Sequence, residues 1–132
     1  MNEKQVPLPM TPYRLTILPG DGTGREVISE AKRVIAVFDQ FGPLSFDITE
    51  IPCGGQHYLD TGEEWPDGSF EHCRDNSDAI IVGAVGWPGA KLPNGDVAGG
   101  QVLLGLRSAL DLYANVRPVK LFPGVHHKVH GM

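Results

Sequence analysis

The sequence of 132 residues predicts an α/β fold in which helices flank a mainly parallel sheet. Three observations carry that reading. Tyr13, Leu15 and Ile17 alternate with Arg14 and Thr16, the period of a strand, and the alternation stops at Pro19. Val27, Ile28, Ala31, Val34, Ile35 and Phe38 then recur at helical spacing. Further on, Ala79 to Gly83 (Ala-Ile-Ile-Val-Gly) is a short continuous apolar run, as in a strand buried on both faces.

The glycines at Gly20, Gly22 and Gly24 mark a tight turn after the first strand. The apolar spacing predicts a helix over Gly24 to Phe41, stopped by Gly42 and Pro43. Leu44, Phe46 and Ile48 alternate against Ser45, Asp47 and Thr49 as a second strand, and Glu50 breaks the pattern. Gly54 to Asp67 is turn-rich, with a short helix around Tyr58. Pro66 to Asn76 predicts another helix with Pro66 in its first turn. After the apolar strand, Ala84 to Gly100 is a long loop rich in Gly and Pro, of the kind that carries function. Gln101 to Leu112 is helical by pattern, and Tyr113 to Leu121 leaves as an extended segment. The final Phe-Pro-Gly-Val-His-His-Lys-Val-His-Gly-Met has no strand or helix pattern. A parallel sheet left there keeps an open edge, so the expectation is that further sequence or another chain covers it.

Composition narrows the function classes. A hydrophobic content of 41% and a net charge of -5 describe an ordinary acidic globular chain. Such a surface disfavours non-specific binding to nucleic acid or anionic lipid, so neither is expected as a partner. No apolar run approaches the roughly 20 residues that cross a bilayer. Cys53 and Cys73 have no CxxC spacing and build no disulfide framework, which suits a reducing cytoplasm.

Three segments carry chemistry. The first, Leu18 to Glu26 (Leu-Pro-Gly-Asp-Gly-Thr-Gly-Arg-Glu), joins a strand to a helix, and reads as a tight turn or as an anion cradle at a helix N-terminus. It is not the dinucleotide fingerprint GxGxxG, because Arg25 stands at the third glycine position. The second, Gly83 to Asp96, begins where ligands bind in open α/β sheets, beyond the carboxyl end of a strand. A plain surface loop is the alternative.

The third is Leu103-Leu104-Gly105-Leu106-Arg107, followed by Leu112-Tyr113-Ala114-Asn115-Val116-Arg117-Pro118. On an α-helix Arg107 shares a face with Leu103 and Leu104, and Arg117 follows the helix end, where the chain can turn back. Two guanidiniums can each hold a carboxylate bidentately, so a branched dicarboxylate suits such a pocket. The bland alternative is a surface ion pair between Arg107 and Asp111 with the leucines as core. His126, His127 and His130 form a cluster with no carboxylate nearby, a weak zinc pattern. Glu63 and Glu64 read as a solvated charge pair, and Trp65 and Trp87 as packing.

Together the three segments resemble the isocitrate/isopropylmalate dehydrogenase family, most closely 3-isopropylmalate dehydrogenases, over about Tyr13 to Gly124. The Arg107 and Arg117 segment is the most specific match. The resemblance implies the N-terminal part of an isopropylmalate dehydrogenase-like fold, with residues 1–12 a loose leader. Residues 13–112 would then be the first part of the large cofactor and substrate domain, and 113–132 the start of the crossover into a second domain. It further implies an oxidative decarboxylase with NAD (NADP not excluded), Mg²⁺ or Mn²⁺, a dicarboxylic hydroxy acid substrate and a homodimer. A role in leucine biosynthesis goes with it. By resemblance Arg107 and Arg117 hold substrate carboxylates, and Leu103 and Leu104 touch the carbon-3 substituent. Thr23, Gly83, Ala84, Val85 and Gly86 contact the cofactor.

Several features depart from that pattern. Thr23 and Arg25 replace the isoleucine and proline usual in isopropylmalate dehydrogenases, and Gly100 stands where those enzymes carry an acid. Tartrate- or malate-type substrates therefore stay open, whereas Leu103 and Leu104 speak against isocitrate. The family's catalytic residues and metal-binding aspartates have no counterpart here, so no catalytic or metal residue is assigned and the chain alone is expected to be inactive. A non-catalytic remnant and a small anion- or nucleotide-binding module are the competing readings.

Overall fold

A computed structural model describes residues 11–120 and 122–124. The leader predicted over 1–12 lies mostly outside the described residues, and the His126, His127 and His130 cluster lies wholly outside them. Three strands form one parallel sheet: β1 (Tyr13–Leu18), β2 (Phe46–Glu50) and β3 (Ala79–Val82), in the order β2-β1-β3. Between them run α1 (Thr23–Phe41), α2 (Gly55–Thr61) and α3 (Ser69–Asp75). After β3 comes a long loop, then a π-helical turn (Gln101–Gly105) that continues directly into α4 (Leu106–Ala109).

β1 is the central strand and is covered on both faces. Leu15 and Ile17 point to one layer with Ile28 and Ile35 of α1. Leu18 points to the other, with Ile51, Cys53, Cys73, Val102 and Leu106. Thr16 is therefore buried rather than solvent-facing as strict alternation suggests, and its hydroxyl is satisfied by the Ser77 hydroxyl. β3 feeds both layers, with Ile81 on the α1 side and Ile80 and Val82 on the other. It has a single neighbour among the described residues, however, and is half-buried rather than enclosed.

α1 is as long as its spacing predicts, and Gly42 closes it by donating to the Phe38 carbonyl at 2.8 Å. Its apolar stripe is broader than the sheet beneath. Ile28 is buried, while Val27, Val34 and Phe38 remain exposed. Lys32 ties α1 to β2 through Glu50 at 2.6 Å, and Arg14 ties β1 to Asp78 at 2.8 Å, just before β3.

Two helices are shorter than their patterns. α3 begins at Ser69, not Pro66, because Gly68 takes a left-handed conformation and Pro66 stays outside as an acceptor for the Ser69 N–H. α4 ends at Ala109 because Asp111 adopts a left-handed φ of 52°. Leu112 N–H then reaches back to the Arg107 carbonyl at 3.1 Å and Asp111 N–H to that of Ser108 at 3.2 Å, the pairing of a Schellman closure. Among the described residues no helix is long and apolar enough to cross a membrane.

Candidate functional site

The strand order places a change of direction between β1 and β3: the chain goes from β1 to β2 on one side, then to β3 on the other. In open parallel sheets the crevice at such a point, beyond the carboxyl ends of the strands, is where ligands bind. Two segments meet there, the glycine turn after β1 and the start of the loop after β3.

Their meeting is backbone against backbone. Asp21 N–H donates to the Ala84 carbonyl at 2.7 Å, and Gly83 N–H to that of Leu18 at 2.8 Å. A Cβ on Gly20 would stand 2.1 Å from the Ala84 oxygen, and one on Gly24 would stand 2.6 Å from the Pro19 oxygen. The glycines of the turn are thus explained by close packing and, at Gly20 and Gly22, by positive φ.

Asp21, which sequence reasoning left unassigned, is the hub. It is 3% exposed, yet its carboxylate is fully engaged. Oδ2 accepts the N–H of Gly55 at 2.8 Å and of Gly86 at 2.8 Å, and Oδ1 that of Gln56 at 2.9 Å. A buried carboxylate is tolerable only with such partners. The available sequence signal was an acid enclosed by glycines directly after a strand. Glu64 was missed as well. It is not a solvated charge, since its side chain accepts the Gly99 N–H.

The residues proposed for the cofactor divide accordingly. The N–H groups of Gly83 and Gly86 are already used, and Val85 packs into the core. Thr23 opens α1 with its side chain exposed, Ala84 is exposed, and a Cβ on Gly86 would meet open space. Trp87 stands at the same mouth, 3.8 Å from where a Cβ on Gly22 would lie. An exposed hydroxyl, an indole and an uncrowded backbone thus lie together beside the start of α1.

The arginine segment is arranged differently from an α-helical face. The core side of this helix is Val102 and Leu106, with Leu110 packed beside them. Leu104 and Arg107 line separate hollows rather than one pocket. Leu104, 61% exposed, faces Leu92, Val97, Gln101 and Ser108, and Leu103 is half-buried. Arg107 lines a hollow of about 320 Å³ with Leu112, Tyr113 and Asn115. The Asn115 carboxamide oxygen in turn accepts from Nε of Arg117 at 3.4 Å. Among the described residues neither arginine has a carboxylate partner, so the Arg107 to Asp111 ion pair does not form.

A larger hollow, about 470 Å³, lies elsewhere, between α1 and the ends of β1 and β2, lined by Arg25, Lys32, Glu50 and Cys53. Its cations already have partners, Arg25 in the Gly20 carbonyl and Lys32 in Glu50. Burial pushes the Cys53 thiol up to about 11, which disfavours the thiolate. Among the described residues no group of three or more His, Cys, Asp or Glu gathers to hold a metal ion.

The described residues thus form an open parallel α/β sheet with a polar mouth at its switch point and two guanidiniums that have no carboxylate partner among them. Comparison with known proteins makes this specific. The family model for isocitrate/isopropylmalate dehydrogenase matches residues 14–131, and the chain belongs to that family. It is 37% identical over 113 residues to 3-isopropylmalate dehydrogenase of Clostridium acetobutylicum, covering 86% of this chain and 31% of that protein. It is 40% identical over 119 residues to the Thermobifida fusca enzyme of that name, covering 90% of this chain and 32% of the relative. Among solved structures, an apo beta-decarboxylating dehydrogenase from Thermococcus kodakarensis superposes with a TM-score of 0.55 at 34% identity. That match covers 76% of this chain and 27% of the other. The chain thus spans about a third of the length of the curated relatives it matches.

Proposed function

We propose that this chain forms the N-terminal part of a metal-dependent NAD oxidoreductase that oxidatively decarboxylates a 3-substituted malate such as 3-isopropylmalate. The observation that supports it most is the pair of exposed guanidiniums, Arg107 and Arg117, which have no carboxylate partner among the described residues, Arg117 donating to the Asn115 that lines the hollow of Arg107. With only its Nε engaged, Arg117 keeps its two terminal nitrogens for a substrate carboxylate, and Arg107 offers its planar fork to the other. Leu103 and Leu104 are assigned to the carbon-3 substituent by family resemblance, since Leu104 lines a hollow separate from that of Arg107 here. Thr23, Ala84 and Gly86, with Gly83 and Val85 holding the loop behind them, face the cofactor. NAD, when bound, accepts the hydride from the hydroxyl-bearing carbon, and Mg²⁺ or Mn²⁺ belongs to residues outside the described chain. The role of the present residues is to bind and orient.

The 132-residue chain alone is expected to show no turnover, and the complete enzyme to work as a homodimer in the cytoplasm. The two unpaired cysteines suit a reducing compartment. A second reading, a tartrate- or malate-type substrate, draws support from the polar lining beside Leu104, where Gln101, Ser108 and Asn94 stand with Gly100. The deciding experiment compares kcat/KM for isopropylmalate, malate, tartrate and isocitrate, each with NAD and NADP. Isopropylmalate should lead malate by one to two orders of magnitude, from burial worth about 0.8 kcal/mol per methylene-sized group. Tartrate in first place would establish the second reading instead. Isocitrate in first place would overturn both.

A further inference from the structure

The loop that follows β3 is held at its two ends by two carboxylates from outside it. At its start Gly86 N–H donates to Asp21, and at its end Gly99 N–H donates to Glu64. One dipeptide sets both acids. Gly54 N–H donates to the Glu64 backbone carbonyl at 2.8 Å, and the next residue, Gly55, donates to the Asp21 carboxylate at 2.8 Å. Between the clamped ends the loop closes on itself. Lys91 and Val97 form an antiparallel bridge, Leu92 N–H donates to Asp96 O at 2.8 Å, and Ala98 N–H to Ala90 O at 3.0 Å. Ala90 and Ala98 are buried beneath it, at 0% and 1% exposure. Such a segment behaves as one body whose placement is decided at its two ends.

We propose that Asp21 and Glu64 are paired positioning residues that fix this loop, and Trp87 on it, against the Thr23 turn, so that the ligand-facing surface is preorganised. The identity of the ligand as a nicotinamide cofactor rests on the function proposed above; the clamp itself does not. Neither acid touches the ligand. Asp21 acts through Gly86, and Glu64 through Gly99 and the start of the helix that bears Arg107.

The test uses three variants of the full chain: Asp21→Asn, Glu64→Ala and Glu64→Gln. Asparagine offers one oxygen where three N–H groups converge, so it must release at least one of them. Glutamine keeps an acceptor for Gly99 and alanine does not. Backbone amide exchange is the ligand-free readout, and NAD titration followed by Trp87 emission, with Trp65→Phe in every protein compared, is the functional one. The expected result is exchange faster by about tenfold or more over residues 86–99 in Asp21→Asn and Glu64→Ala, the scale of one lost charge-assisted bond. The amides of β1 should stay unchanged, the NAD Kd should rise by a similar factor, and Glu64→Gln should restore both. If Asp21→Asn fails to fold, the Glu64 pair decides alone, because that side chain is half-buried at the rim. Unchanged exchange over 86–99 overturns the clamp, and faster exchange with an unchanged NAD Kd overturns the positioning role. Absence of NAD binding by the unaltered protein overturns the cofactor reading and leaves the clamp to the exchange measurement.

Discussion

If Gly83 serves close packing rather than ligand contact, Gly83→Ala should be severely destabilising with no ligand present. Gly83 is not in a positive-φ conformation, so backbone strain does not enter. A Cβ there would stand 2.1 Å from the Pro19 carbonyl oxygen, 2.9 Å from its carbon and 3.1 Å from Cγ1 of Ile28. The first contact is with backbone, which cannot rotate away. The ends of β1 and β3 must therefore separate by about 1 Å, a displacement of the kind that costs about 1–3 kcal/mol. The Gly83 to Leu18 hydrogen bond, 2.8 Å long, stretches with it and contributes a further loss of about 0.5–1.5 kcal/mol. Together these give about 2–4 kcal/mol, or a fall in Tm of roughly 10 °C at this chain length. Gly100→Ala is the control. Its φ is -62° and nothing lies within 4 Å, so alanine should be neutral or slightly stabilising there. Urea and thermal unfolding followed by circular dichroism measure both. A Gly83→Ala protein within about 0.5 kcal/mol of the parent would refute the packing account and return Gly83 to the ligand.

In the complete enzyme, Arg107→Ala and Arg117→Ala should each lower kcat/KM by about tenfold or more, with lysine rescuing only in part; unchanged steady-state kinetics would remove the carboxylate role. The Cys53 thiol, raised to about 11 by burial, ionises in the unfolded chain first. Stability should therefore fall as pH rises from the ordinary thiol pKa of about 8.5 towards 11, and Cys53→Ala should remove that part of the slope in urea midpoints. On the acid side, hydrogen bonds from the Arg14 side chain, then from its backbone N–H, hold the Asp78 carboxyl below its ordinary value. That contribution is complete above the usual carboxylate pKa of about 3.9 and is lost as pH falls through the lower folded value. Asp78→Asn should flatten the acid limb of the Tm profile, and an unaltered limb would count against the pair.

Strand and helix order was legible because it rests on periodicity, which burial enforces directly. β1, α1, α2 and β3 fall where alternation, helical spacing or glycine punctuation places them, while β2 starts two residues late, at Phe46, and includes Glu50, which pairs with Ile17 although it breaks the alternation. What alternation did not disclose was the central position of β1. Thr16 is polar, and its burial depends on Ser77, far away in sequence, satisfying its hydroxyl. The width of α1's stripe misleads in the opposite direction, since Val27, Val34 and Phe38 have no covering element among the described residues. Asp21 was hidden for a related reason. Three backbone donors from two distant segments define its role, and backbone donors leave no mark in side-chain pattern.

The arginine segment was legible in composition but not in geometry. Val102, Leu106 and Leu110 recur every four residues, as in any α-helix, so nothing in the spacing reveals that Gln101–Gly105 winds as a π-turn. The predicted end at Leu112 failed because the usual residues at a left-handed helix stop are glycine and asparagine, and here Asp111 takes that conformation. That early stop is what builds the hollow beside Arg107. A helix continuing to Leu112 would carry Tyr113 and Asn115 onward along its axis, away from Arg107. By turning at Asp111 and bonding Leu112 N–H to the Arg107 carbonyl, the chain folds its next residues around the arginine it has just passed. Asn115 then stands in the hollow of Arg107 while accepting from Arg117. The left-handed aspartate thus converts two arginines ten positions apart in sequence into neighbours of one carboxamide.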